Sequence, residues 1–243
     1  MIDIHCHILP QIDDGSASLE ESLEMARMAA FSGVTELAAT PHFQGTADQL
    51  ELLPVIREKY RTLRAAIEEA RIPLTLRSGA EILCLPDTPE LAVRHQLPTY
   101  EGTNYVLTEF YFDEAYAYMD QMLTELVDSG YRPVVAHPER YPVIQRDPSL
   151  LRRWARLGCA LQLNKGSVLG AFGSRVEQTA HEILGMGLAH LLASDAHSCT
   201  SRTPHLETLS QWAAEACDPD CARILLWENP RRIRQGTPLV GQL

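Results

Sequence analysis

Short apolar and β-branched runs alternate along this chain with longer stretches in which apolar positions recur every three or four residues. The short runs predict strands at Ile2 to His5, Thr35 to Thr40, Leu74 to Ser78, Tyr105 to Glu109, Pro133 to His137, Ala160 to Asn164 and Leu191 to Ser194. The longer stretches predict helices at Leu19 to Phe31, Gln49 to Ala70, Glu114 to Asp128, Ser149 to Arg156, Val176 to Leu184 and Pro204 to Ala216. Ser18 ahead of the first helix, with Glu21 three residues on, has the spacing of a capping box. Strand and helix in alternation imply an α/β fold with a parallel sheet. No linker or repeat interrupts the pattern, which favours one barrel over an open sheet and a single domain over residues 1–243.

Nearly every predicted strand ends in a side chain able to ligate a metal: His5 and His7, His42, Glu81, Glu109, His137, then Asp195 with His197. In a parallel β/α barrel the carboxyl ends of the strands converge on one face, where the active site is built. Any one of these residues alone is an ordinary polar position at a strand-to-loop boundary. Together they form a pattern. His5 and His7 share a face of extended chain, because side chains i and i+2 do so. Asp195 and His197 repeat that spacing, and the Asp13-Asp14 pair follows the first histidines. Imidazole mixed with carboxylate suits manganese, iron or zinc better than calcium or a thiolate-bound structural zinc.

Composition narrows the function classes. Apolar residues make up 45% of the 243, enough for a substantial core, and Lys plus Arg 21 against Asp plus Glu 32 gives a formal net charge of −11. Such a chain repels phosphate backbones and anionic lipid, so nucleic-acid binding is not expected. The opening MIDIHCHILP has no basic leader, and no window approaches the ~18 apolar residues of a membrane span, so a cytoplasmic chain without membrane insertion is expected. The six cysteines are scattered without a CxxC pair and read as free thiols, with Cys6 turned away from its histidine neighbours into the core.

The motifs MIDIHCHILPQIDDG, ATPH, GAEI, LTEF, AHPERY and SDAHS, in this order, resemble the PHP superfamily (polymerase and histidinol phosphatase). More narrowly they resemble the manganese-dependent protein-tyrosine phosphatases of bacterial capsule and exopolysaccharide loci, the CpsB/YwqE type, over almost the whole chain. Phe43 stands where that family often has a second histidine and is not read as a ligand. The resemblance implies a distorted TIM-like (β/α)7 barrel of the PHP type holding three divalent ions, manganese first, with iron or zinc as alternatives. His5, His7, Glu81 and Asp195 would hold one ion. Glu81 would bridge to a second held by Glu109 and His137, and Asp14, His42 and His197 would hold the third; Asp13 and Asp14 are both open for that last role. The implied substrate is phosphotyrosine on a bacterial tyrosine kinase that controls capsule or exopolysaccharide synthesis.

The chemistry is consistent with that implication. Metal ions roughly 3.5–4 Å apart hold a hydroxide at neutral pH and neutralise the phosphoryl oxygens that it attacks. A phosphate dianion also calls for planar cationic forks, and Arg140 and Arg202, close behind His137 and His197, are the candidates, with Glu139 placed to orient Arg140. Three divalent cations would bring −11 to −5 and concentrate positive charge where phosphate enters. Tyr111, Phe112 and Tyr116 are candidates for an aromatic rim and equally for ordinary packing. Of the remaining histidines, His95, His181 and His190 are expected at surfaces or caps, and His205 lies close enough to Arg202 to approach a substrate.

Other readings remain. The same donors serve histidinol-phosphate and other small-molecule phosphatases, and a non-catalytic PHP module that binds a partner is a further alternative. Cys217 and Arg223 have the CX5R spacing of thiol phosphatases. Two aspartates and a proline lie between them, which would repel phosphate and remove an amide donor. Asp218-Pro219 reads instead as a helix start.

Overall fold

The computed structural model describes residues 1–241. Nine strands run through it: β1 Ile2–Cys6, β2 Glu36–Ala39, β3 His42–Gln44, β4 Thr75–Ser78, β5 Glu81–Leu83, β6 Tyr105–Glu109, β7 Arg132–Ala136, β8 Ala160–Asn164 and β9 Leu191–Ala193. All pair in parallel, in one sheet of order β1-β2-β4 and another of order β3-β5-β6-β7-β8-β9. The fold is thus α/β with parallel sheets, as expected, but two of its strands were not predicted. Pro41, which has no N–H to give a ladder, separates β2 from β3. Gly79 and Ala80 separate β4 from β5, and a Cβ at Gly79 would lie 3.2 Å from Thr40 Cγ2 and 3.3 Å from the Tyr100 ring. Each of these chain segments therefore enters in one sheet and leaves in the other.

Backbone bonds link the two sheets. Asp195 N donates to His5 O (2.9 Å) and His7 N to Ala196 O (2.8 Å), which ties the exit of β9 to that of β1. Within each sheet the ladders run on past the strand ends, where Thr40 N reaches Cys6 O, Gly79 N reaches Ala39 O and Glu81 N reaches Pro41 O, at 2.9, 2.9 and 3.0 Å.

The six predicted helices are present, Leu19–Phe31 with the predicted ends and the others with shifted ends, at Leu53–Glu69, Tyr116–Asp128, Leu151–Leu157, Ser174–Gly185 and Glu207–Ala216. Ser18 Oγ accepts from Glu21 N at 3.2 Å, and the Glu21 carboxylate reaches back to Ala17 N at 2.9 Å, one residue before the usual capping-box donor. Short helices absent from the prediction are Thr88–Val93, Pro142–Arg146, Lys165–Val168 and Asn229–Gln235, while Pro219–Arg223 begins at the helix start read from Asp218-Pro219. Segments this short carry little periodicity to register as a face, and the seven-residue Leu151–Leu157 registered because Leu151, Trp154 and Ala155 stand at helical spacing. Among the described residues, no helix is long and apolar enough to cross a membrane.

The core is layered about the strands. On β6 to β9, Tyr105, Leu107, Val134, Ala136, Ala160, Leu191 and Ala193 join one buried cluster, closed by Ile233 and Leu239. The alternate residues Val106, Val135, Leu161, Leu163 and Leu192 join the main cluster with the helices. Strands covered on both faces read as continuous apolar runs. Toward the carboxyl ends, the face bearing Leu107 and Ala160 turns polar at Glu109, Gln162 and Asn164, so the site sits on a packed floor.

Gly15 anchors the loop that roofs this floor: a Cβ there would come 2.1 Å from His7 O and 2.5 Å from His7 Cβ, both stiff parts of the chain. Gly15→Ala is expected to destabilise the fold by about 1–3 kcal/mol, measured by urea unfolding. An unchanged midpoint would show that the loop yields freely.

Candidate metal centre

Side chains on β1, β3, β5 and β6, and just past β1, β7 and β9, are delivered to a common point. His5 lies in β1 and His7 just beyond it; His42 opens β3, Glu81 opens β5 and Glu109 closes β6. His137 and Asp195 follow β7 and β9 in left-handed backbone conformations (φ 37° and 49°), which turn their side chains inward instead of continuing the strand.

At the centre is the buried Glu81 carboxylate, with four imidazoles around it. Its Oε1 is 3.2 Å from His5 Nε2 and 3.1 Å from His137 Nε2; its Oε2 is 3.2 Å from both His7 Nε2 and His42 Nδ1. Glu109 adds contacts of 3.0 Å to His42 and 3.7 Å to His137. Asp195 Oδ1 stands 3.4 Å from His5 Nε2 and 3.6 Å from both His7 Nε2 and His197 Nδ1. At the open side, Asp14 Oδ1 is 3.4 Å from His42 Nε2 and from His197 Nε2. All nine sequence-predicted ligands therefore converge.

Three groups have donor atoms within 4.8 Å of one another: His7, Asp14, His42 and His197; His5, His7 and Glu81; and His42, Glu81 and Glu109. This grouping differs from the one implied by resemblance: His7 and His42, like Glu81, each serve two groups, and His137 and Asp195 lie beside the groups and in none of them. The reason is that the rings of His7 and His42 lie 4.4 Å apart between the others. The donors fit a cluster of divalent cations. His5 Nε2 and His7 Nε2 face each other at 3.2 Å, while their outer nitrogens are engaged by Gln162 Oε1 and Asp13 Oδ2, each at 2.8 Å. Outer partners of this kind fix the tautomer and turn the remaining lone pairs inward, as at metal sites. Asp13 also accepts from His42 N at 2.9 Å and Gly15 N at 3.0 Å, so it orients the histidines, and Asp14 is the acid that faces the opening.

Charge is balanced inside the cluster. Burial works against a charged His42, but Glu109 and Glu81 outweigh it and raise its pKa to about 11. Burial opposes a charged His5 too, yet Glu81 and Asp195 raise it to about 9. Asp13 is held at about 2, against its burial, by His7 and the two amides. His197 is pushed down to about 4 by burial and by the positive charge of His7 and Arg202.

The two arginines meet at Asp195. Arg202 Nη2 donates to its Oδ2 at 2.5 Å, Arg140 Nη1 lies 3.7 Å from the same oxygen, and Asn164 Nδ2 also donates to it. Arg140 lies over the rings of Phe112 (4.5 Å) and Phe172 (4.8 Å). Glu139 does not orient Arg140. The turn after His137 buries its carboxylate, where Oε1 accepts from Asn164 N at 2.9 Å. Of the two readings left open for these aromatics, Phe112 takes the rim, whereas Tyr116 stacks on Trp154 at 5.4 Å and donates to Leu150 O, which is packing. The His205 ring faces Phe31 and Glu207, and the buried His190 accepts from Leu161 N, so neither joins the site. His181 stacks on Trp212 and His95 lies near Tyr131. Cys6 and Phe43 are buried in the main cluster, as expected.

Sequence reasoning missed Gln162, Asn164, Lys165 and Phe172. Two amides at i, i+2 on the otherwise apolar ALQLN strand were a usable signal. Lys165 carried none: its Nζ donates to Thr203 O and, at 3.2 Å, to His205 O, holding the loop on which Arg202 sits at φ 48°. The CX5R segment is a helix start. Asp218 accepts from Cys221 N at 2.8 Å, Arg223 pairs with Asp220 at 3.6 Å, and burial raises the Cys221 thiol to about 11.

A raised histidine pKa stabilises the fold fully below the unfolded value of 6.5, and that contribution is lost as pH rises toward about 11. In metal-free protein the melting-temperature gap between the natural chain and His42→Gln is therefore expected to shrink steadily from pH 6.5 to pH ~9.5. A gap that widens with pH would contradict this charge pairing.

A family model for capsular polysaccharide synthesis proteins, CpsB/CapC, matches residues 1–235. The chain is 38% identical over 207 residues to tyrosine-protein phosphatase YwqE of Bacillus subtilis, covering 85% of this chain and 81% of YwqE. It is 30% identical over 239 residues to tyrosine-protein phosphatase CpsB of Streptococcus pneumoniae, covering 96% and 98%. A crystal structure described as showing YwqE and CpsB, metal-dependent tyrosine phosphatases, superposes with a TM-score of 0.89 at 33% identity over 98% of this chain and 96% of that one. The histidinol phosphate phosphatase of Lactococcus lactis shares the fold, with a TM-score of 0.59 at 12% identity over 89% and 93%. Sequence and structure agree that this chain belongs to the CpsB/CapC family of capsular polysaccharide synthesis proteins.

Proposed function

We propose that this chain is a metal-dependent protein-tyrosine phosphatase: water adds to phosphorus, the bond from phosphorus to the tyrosine oxygen breaks, and tyrosine and inorganic phosphate leave. The observation that carries this reading is the convergence of nine imidazole and carboxylate side chains beside two arginines aimed at one carboxylate oxygen. YwqE and CpsB are named tyrosine-protein phosphatases, which supports it. In this reading His5, His7, Glu81 and Asp195 hold one ion; Glu81, Glu109 and His137 a second; and Asp14, His42 and His197 a third. Manganese is the favoured metal, and iron and zinc suit the same donors. The architecture we infer is a single-domain, distorted (β/α)7 barrel. The backbone bonds from β9 to β1 support it, as does the passage of the β2–β3 and β4–β5 segments between sheets.

When bound, divalent ions supply an activated water and positive charge opposite the phosphoryl oxygens. The chain's own residues do the rest. Arg140 and Arg202 bind phosphate oxygens in place of Asp195 Oδ2, and the planar guanidinium fork suits that exchange. Gln162 and Asp13 keep His5 and His7 in one tautomer, and Lys165 holds the Arg202 loop. The partner we infer is a phosphotyrosine-bearing bacterial kinase of capsule or exopolysaccharide synthesis, met in the cytoplasm.

The test is phosphate release from a phosphotyrosine peptide, beside histidinol phosphate, by chelator-stripped protein with and without Mn²⁺. Peptide turnover should require metal. It should fall about 100-fold or more in His137→Ala and in Arg202→Ala, and stay unchanged in Cys217→Ser. Turnover of histidinol phosphate alone would move the assignment to small-molecule phosphatases, and loss of activity in Cys217→Ser would sink the metal mechanism.

A further inference from the structure

Phe172 lies on a four-residue turn between Gly170 and Gly173, both at positive φ (77° and 93°). The turn brings its ring to 4.8 Å from the Arg140 guanidinium carbon and 5.9 Å from that of Arg202. Phe112, from the loop after β6, reaches the Arg140 guanidinium from its own segment at 4.5 Å, and its ring centroid is 6.1 Å from that of His137. Two aromatic faces from distant parts of the chain therefore flank the cation that points at Asp195 Oδ2. Phe112 is 45% exposed and Phe172 is half-buried, so neither ring is sealed in the core. Gly166 makes room for Phe172: a Cβ there would lie 2.7 Å from Phe172 Cε2 and 2.8 Å from Cζ.

We propose that Phe172 and Phe112 form the seat for the aryl group of the substrate and so select aromatic over aliphatic phosphate esters. This inference rests on the phosphatase reading. In this proposal a phosphate held by Arg140 and Arg202 carries its ester group toward the accessible parts of the two rings that flank those arginines. A phenyl group there gains offset or edge-to-face contact and displaces water from apolar surface, whereas a short alkyl chain gains little. The cation over each ring also holds Arg140 in place, since a guanidinium is attracted to an aromatic face. The second role affects every phosphate equally; only the first distinguishes aryl from alkyl.

Calorimetric binding of phenylphosphonate and methylphosphonate to Mn²⁺-loaded protein separates these roles without turnover. The natural chain is expected to prefer the phenyl compound by about 3- to 10-fold, and Phe172→Ala to reduce that ratio to near unity. Phe172→Trp should keep the preference. Gly166→Ala, which retains the ring but pushes it aside, should lower it. A preference that survives in Phe172→Ala, or equal weakening of both ligands there, overturns the proposal. Absence of phosphotyrosine hydrolysis by the natural chain would instead count against the phosphatase reading on which it rests.

Discussion

One buried carboxylate governs this molecule. Glu81 is almost wholly removed from water, and an isolated carboxylate in such a place would pick up a proton. Four imidazoles prevent that, and its pKa stays well below the ordinary range because His5, His137 and His42 outweigh the effect of burial. Those imidazoles come from three separate segments of the chain: His5 and His7 from the end of β1, His42 from the start of β3 and His137 from just beyond β7. The register that pairs His42 with Glu81 and Leu83 with Glu109 is therefore inseparable from the charge balance at the centre.

The breaks in the strands serve the same end. A regular strand would carry alternate side chains to opposite faces, leaving one inward residue per step. Pro41 and the Gly79–Ala80 pair interrupt β2–β3 and β4–β5 immediately before His42 and Glu81, and the left-handed residues His137 and Asp195 end β7 and β9. The irregular backbone is confined to the polar end, while the floor beneath is apolar and closely packed. Backbone strain is tolerated where the surrounding structure over-determines it, and here the packed strands do so.

The net charge of −11 and an anionic substrate are compatible because the charges are sorted in space. Acidic side chains gather in the centre, where imidazoles, and cations when bound, offset them. Arg140 and Arg202 both point at the same oxygen of Asp195. Aromatic rings beside Arg140 lower local hydration, which strengthens a charged hydrogen bond. A chain that repels polyanions in bulk thus keeps one place that accepts a single phosphate.

Much of this was legible in the linear sequence. Apolar periodicity located seven of the strands and six of the helices, and all nine predicted ligands meet, because strand direction brings the polar ends of the apolar runs to one side, where the breaks and left-handed residues turn the side chains inward. Tertiary structure decided what depends on neighbours distant in sequence. Asp13, not Asp14, turns inward to the histidines because the amides of Gly15 and His42 draw it there; Glu139 is spent on Asn164 and not on Arg140; Phe172 reaches Arg140 from a glycine-bracketed turn. Each of these outcomes is a hydrogen bond or ring contact whose partner no local pattern names. The short strands β3 and β5 escaped notice for the same reason: unlike the wholly apolar β9, each has three residues that open on a polar ligand directly after a break, and only the ladder beside them makes them strands.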